Sequence, residues 1–186
     1  LSDLLNLDSE LSVANWYSSI KYFCMSMLVA FISINHYKIN KAYISLGLFS
    51  LLFLAMSIDE SAHIHEYLGW QLDAFLEGGS RENTMFSVTG IWMIAIGIPF
   101  ILLFFSVLYS VNAALKNSSF KVKRAILGIM VLLGGALGVE AMSNFVENGL
   151  LILQITVEEG MEMIGVSILI WSVYNLSIES LRSLYS

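Results

Sequence analysis

Charge is scarce in this chain: only 13% of its residues are Asp, Glu, Lys or Arg, while 57% are hydrophobic. A soluble globular domain carries about 25% charged residues, so the composition excludes that class. A single cysteine, Cys24, excludes an internal disulfide framework. A single proline, Pro99, leaves no proline-rich linker, and there is no internal repeat or low-complexity segment. Three histidines, His36, His63 and His65, are too few for the histidine-rich ligand sets of membrane di-metal hydroxylases and desaturases. Nine basic residues stand against fifteen acidic ones, for a net charge of −6, and no nucleic-acid partner is expected. The opening stretch, with Asp3, Asp8 and Glu10, does not resemble a signal peptide.

What is present is a series of apolar runs of membrane-spanning length, with a mean hydropathy of +0.75. They are continuous rather than alternating, which rules out a β-barrel. The expected fold is all-α: an integral membrane bundle of about five helices forming a single domain, at about residues 12–35, 42–66, 85–111, 122–146 and 150–176. Pro99 is expected to kink the third helix. Lys38 and Lys41 fall between the first two runs, Lys116, Lys121, Lys123 and Arg124 between the third and fourth, and Arg182 after the last. Asp3, Asp8, Glu10, Asp73, Glu77 and Glu82 fall in segments on the other side. By the positive-inside rule the N-terminus is then outside, the C-terminus is cytoplasmic, and the protein is multi-pass in the cell membrane.

The exception to the apolar pattern is Ser57-Ile58-Asp59-Glu60-Ser61-Ala62-His63-Ile64-His65-Glu66, directly after an apolar run. A charged group near a bilayer centre costs roughly 2.5 to 3.5 kcal/mol on insertion scales, so such a cluster calls for partners. Glu60, Glu140, Glu158, Glu162 and Lys21 all lie about 13 to 19 residues, or roughly 20 to 27 Å, from the cytoplasmic ends of their helices. Independent accidents would scatter them in depth; here they share one level in the outer half of the membrane.

On a helical wheel Asp59, His63, Glu66, Trp70 and Asp73 share one arc, and His65 points nearly opposite. Glu140, Asn144 and Glu147 share a stripe of the fourth helix. Gln154, Glu158, Glu162 and Gly165 share a stripe of the fifth, flanked by Glu159. Such stripes face a bundle interior. Gly134, Gly135 and Gly138, with Gly160 and Gly165, are expected to bring the fourth and fifth helices into close approach.

Two chemistries fit these side chains. Di-iron carboxylate bundles use helix-borne Glu residues with two Glu-x-x-His pairs. Glu60-Ser-Ala-His63 supplies one such pair, and Glu159-Gly-Met-Glu162 stands where the second would be, with Glu in place of His. The expected metal ligands are drawn from Asp59, Glu60, His63, His65, Glu66, Glu140, Glu147, Glu158, Glu159 and Glu162. Oxygen and imidazole donors favour iron, manganese or zinc. A metal-dependent membrane enzyme on a lipid-like or quinone-like substrate follows from that reading.

The alternative is a proton- or cation-coupled transporter or channel, since intramembrane acids and histidines mark proton and ion paths. An accessory subunit with a membrane-protein partner, or a homo-oligomer, is a third possibility. For any one residue a structural role weighs more. Lys21 reads as a counter-ion to an acid, His36 as a loop residue, and Asp73, Glu77 and Glu82 as a solvated face.

The runs Asp59 to Glu66 and Val157-Glu158-Glu159-Gly160-Met161-Glu162-Met163-Ile164-Gly165 together resemble a group of bacterial multi-pass membrane proteins. Those carry Asp-Glu, four residues, then His-Glu in one helix, and Glu-Glu-x-x-Glu in a later one. The resemblance covers the second to fifth helices and implies no activity. It favours His65, whose pair with Glu66 matches the motif, whereas the wheel favours His63. The choice between them stays open unless the helix unwinds there.

Overall fold

The computed structural model describes residues 13–37, 42–76, 81, 84, 86–87, 89–115, 120–145 and 150–182. The described chain is all-helical, and five of its helical stretches are long and apolar enough to cross a membrane. The first span is α1 (Val13–His36) and the second is α2 (Ala42–Ala62), followed by the short α3 (Ile64–Asp73). The third span opens as a π-helical segment, Met93–Gly97, and continues as α4 (Ile98–Ala114). The fourth is α5 (Val122–Leu133), a second π segment (Gly134–Val139) and the single turn α6 (Glu140–Met142). The fifth is α7 (Leu151–Arg182).

Three of these boundaries differ from the sequence expectation. The second helix does not run on to Glu66; it stops at His63, which adopts the left-handed conformation with φ 49°. The third span begins at Met93 rather than near residue 85. Before it, the described residues 86, 87 and 89 lie in turns, and Gly90 has φ 78°. Pro99 lies in the first turn of α4, directly after the π segment. A proline has no N–H to donate and crowds the carbonyl four residues back; widening that turn to π geometry accommodates both effects. The last helix is longer than expected and reaches Arg182.

In cross-section α1 packs along α2 on one side and α7 on the other, α5 packs on α7, and α4 packs on α2. The five spans therefore run in the order α4, α2, α1, α7, α5. Hydroxyls stitch α1 to α2: Ser26 and Ser50 lie 3.1 Å apart, while Ser19 pairs with Ser57 at 3.2 Å and with Ser61 at 2.7 Å. Small residues of this kind let backbones approach and hydrogen-bond across helices.

The fourth and fifth spans meet through glycines. A Cβ on Gly165 would sit 2.6 Å from the backbone nitrogen of Leu132, and one on Gly135 would sit 2.9 Å from the Glu158 carbonyl. A Cβ on Gly128 would lie equally close, 2.9 Å from the Gly165 carbonyl. Gly138 and Gly160, expected at the same interface, face open space instead.

The half of the bundle carrying Arg124 is filled with apolar side chains. Phe49, Phe53 and Phe104 are all buried, and their rings meet edge to face at 5.1 to 5.6 Å between centroids. Leu46, Leu108, Ile129, Leu169 and Leu176 complete this packing. At the same end the Arg124 guanidinium lies over the Trp171 ring at 3.8 Å, joining the fourth and fifth spans.

Candidate functional site

Above the phenylalanine cluster, toward the acid-bearing end, the bundle opens into a cavity of 740 Å³. Asp59, Glu60, His63, His65 and Glu66 line it from the second span and α3, Glu140 from the fourth, and Glu158, Glu159 and Glu162 from the fifth. Nine of the ten expected site residues thus share one cavity. The tenth, Glu147, lies outside the described residues.

The break at His63 organises the first wall. A residue in the left-handed region resets the helical phase, so His65 turns back toward the end of α2 instead of pointing away from it. Asp59 Oδ2 lies 2.7 Å from His65 Nδ1, and Asp59 Oδ1 accepts the His65 backbone N–H at 2.9 Å. His63 itself makes no side-chain cap for α3. Asp59, four residues before His63, supplies that acceptor to an otherwise unpaired N–H of the first turn. The His63 ring lies 3.2 Å from Glu66 Oε1 through Nδ1. Both histidines therefore belong to the site, and the wheel placing His65 opposite is overturned by one backbone torsion. Trp70, expected on the same arc, is exposed.

His65 lies outside the spanning segments. Burial opposes charging its ring, but the hydrogen bond and negative charge of Asp59 outweigh burial and raise its pKa above the usual 6.5. Its other face meets Trp92, with ring centroids 4.5 Å apart, and the indole also lies beside Glu140.

The opposite wall comes from α7. Glu158 and Glu162, on successive turns of one face and flanked by Glu159, are joined by Gln154, whose amide donates to the Val139 carbonyl at 3.2 Å. Tyr22, buried in α1, donates its hydroxyl to Glu162 Oε2 at 3.0 Å. Three fully buried polar atoms of the lining have no hydrogen-bond partner: His63 Nε2, Gln154 Oε1 and Glu159 Oε2.

Two roles differ from expectation. Among the described residues Lys21 pairs with no acid; it donates to the Met163 carbonyl and to Ser167 Oγ at 2.7 Å, and lies over the Tyr17 ring. Asp73 is no solvated residue: it is buried, 2.6 Å from Arg81 Nε, and accepts the Ile91 N–H at 3.3 Å. It ties α3 to the start of the third span. Glu77 and Glu82, expected with it on a solvated face, lie outside the described residues. Asn144 leaves the acidic stripe as well, because its amide donates to Thr89 Oγ1 at 3.0 Å.

Sequence reasoning missed Tyr22 and Trp92. Tyr22 carried one usable signal, a hydroxyl beside Lys21 at the depth of the acids; Trp92 carried none.

The donor set does not assemble a metal centre as it stands. Among the described residues no three His, Cys, Asp or Glu side chains converge on a point that would hold a metal ion. Asp59 is engaged through both oxygens by His65, and one oxygen of Glu162 by Tyr22. The described residues, as arranged, do not fit a di-iron-type centre.

A family model described as a domain of unknown function, DUF8692, matches residues 1–178. No curated protein and no solved structure matches the chain.

Proposed function

The chain belongs to the DUF8692 family, and for it we propose a membrane enzyme that acts by acid–base chemistry on a lipid-like or quinone-like substrate. The observation that carries this reading is the two-sided lining of one cavity. Carboxylates and imidazoles occupy its upper wall, and Met56, Ile96, Phe100, Leu132, Leu133 and Leu137 its lower wall. Its 740 Å³ lies within the range of roughly 300 to 1,000 Å³ that holds a small organic ligand. The floor is sealed by Phe49, Phe53 and Phe104, which favours chemistry in a pocket over passage through a pore.

In this reading the apolar wall takes the substrate's hydrocarbon and the polar wall its reacting group, in the outer half of the cell membrane. His65, held by Asp59, and Glu140 beside it are the acid–base pair; Glu158 and Glu159 face them from α7. A proton moved between such groups and the substrate requires them within hydrogen-bond reach of it, directly or through one water. No step is assigned to a metal, since the donor set does not converge.

A second reading, proton- or cation-coupled transport, is favoured by a different observation. Three spans are irregular near the cavity: the second breaks at His63, and the third and fourth contain π segments, Met93–Gly97 and Gly134–Val139. Irregular backbone at membrane depth lines cavities and gates in transporters.

The test uses purified protein in nanodiscs, incubated with a total polar lipid extract and a short-chain ubiquinone, with products read by mass spectrometry. The enzyme reading expects at least one mass-shifted lipid or quinone, absent for His65→Gln and Glu158→Gln. Unaltered lipids and quinone, together with proton uptake into liposomes that Glu158→Gln abolishes, would replace it with the transport reading.

A further inference from the structure

The order of the spans leaves one seam open. Helices α4 and α5 stand at the two ends of the arc and, among the described residues, share no extended backbone contact. The cavity lies between them, lined by Ile96, Gly97 and Phe100 from one side and Leu133, Ala136 and Leu137 from the other. What crosses the seam is one side chain: Leu137 packs closely on the buried Gly97, where an added Cβ would meet Leu137 Cδ2 at 3.3 Å. Facing outward beside it are exposed apolar side chains, Ile94 and Ile98 on the third span and Met130 on the fourth, so the seam faces lipid.

The polar end specifies the charge of what enters. Asp59, Glu60, Glu66, Glu140, Glu158, Glu159 and Glu162 line the cavity with only two imidazoles, and no lysine or arginine among the described residues lines it. Carboxylates in a low-dielectric cavity either take up protons or are matched by positive charge, and apart from the two imidazoles the described lining supplies none. The three unpartnered buried atoms point the same way. Gln154 Oε1 and a carboxylate Glu159 Oε2 are acceptors, and so is His63 Nε2 in the tautomer whose Nδ1 donates to Glu66. A primary ammonium has three N–H donors and no acceptor.

We propose that the seam between the third and fourth spans is a lateral portal from the bilayer, and that the cavity takes an amine-bearing, phosphate-free amphiphile. Its hydrocarbon lies along Phe100, Leu133 and Leu137 and its ammonium among the acids. A phosphate in the headgroup would meet the same carboxylates and be repelled. This inference rests on the enzyme reading only in naming the class of its substrate.

The experiment measures binding of dodecylamine to the full chain in phosphatidylcholine nanodiscs, with empty nanodiscs as reference. Ethylamine, dodecanol and dodecanoate are the comparison probes. The expected result is saturable binding of dodecylamine, weakened about tenfold or more by Glu159→Gln and by Leu137→Trp, with none of the three comparison probes competing. Variants are first checked by thermal melt, and Phe100→Trp replaces Leu137→Trp if the latter does not fold. Dodecanol competing as well as dodecylamine would overturn the cation requirement, and ethylamine competing equally would overturn the amphiphile. Binding lost in Glu159→Gln but untouched by the tryptophan variants would overturn the portal. Turnover of a lipid or quinone without dodecylamine binding sinks this inference and leaves the enzyme reading standing. Dodecylamine binding without any turnover does the reverse.

Discussion

Asp59 grips His65 across the break in its own helix, one carboxylate oxygen 2.7 Å from the ring nitrogen and the other 2.9 Å from the backbone nitrogen. One side chain therefore caps α3, orients the imidazole and links two residues that a continuous helix would hold apart. Removing it with Asp59→Ala is expected to destabilise the protein by about 1 kcal/mol, the usual scale of a lost helix cap. The charge attraction adds little because both groups are partly exposed. A chemical-denaturation midpoint in detergent reads the change; an unchanged midpoint would mean that α3 is held without this cap.

The pair also sets a pH dependence. The pKa of His65 is higher folded than unfolded, so its stabilising increment is complete below about pH 6.5 and declines as pH rises through the folded-state value. The melting-temperature gap between wild type and His65→Gln should accordingly be larger near about pH 5.5 than near about pH 8.5. Equal gaps at the two values would show that the ring contributes by packing on Trp92 alone.

Tyr22 and Glu162 form the corresponding contact on the other wall. With Tyr22→Phe the Glu162 carboxylate loses a buried donor, at an expected cost of about 1 to 3 kcal/mol. A double-mutant cycle with Glu162→Gln isolates the pair, since contacting residues are not additive. Strict additivity would place the tyrosine outside the site's network.

Gly165 and Gly160 lie five residues apart on α7 in opposite circumstances. Gly165→Ala drives a methyl to 2.6 Å from the Leu132 nitrogen and should cost about 1 to 3 kcal/mol or more. Gly160→Ala enters open space and should be neutral, or stabilising by up to about 1 kcal/mol through helix propensity. Thermal melts of the two variants side by side decide it, and equal shifts would contradict the helix packing described.

Metal content is the last measurement. Among the described residues the side chains do not converge on an ion, so elemental analysis of detergent-purified protein should find less than about a tenth of an equivalent of iron, manganese or zinc. A stoichiometric metal would mean that Glu60, Glu158, Glu159 and Glu162 close together, and would restore the di-metal chemistry expected from their spacing.

The amino-acid sequence by itself determined that this chain forms five apolar spans and that their acids lie at one depth. Both properties are local: a helix rises a fixed distance per residue, so length and spacing translate directly into span and level. It also put Glu158, Glu159 and Glu162 on one side of the last helix, and all three line the cavity because α7 is unbroken and the wheel holds along it. Tertiary structure decided the rest. The left-handed turn at His63 rotates everything after it, which no periodicity argument can foresee, and it brings His65 to Asp59. The arc of spans that leaves the third and fourth apart, the recruitment of Tyr22 and Trp92, and the choice among the glycines depend on which helix lies beside which. That choice is made by packing between faces distant in sequence, and a single chain read in order carries no record of it.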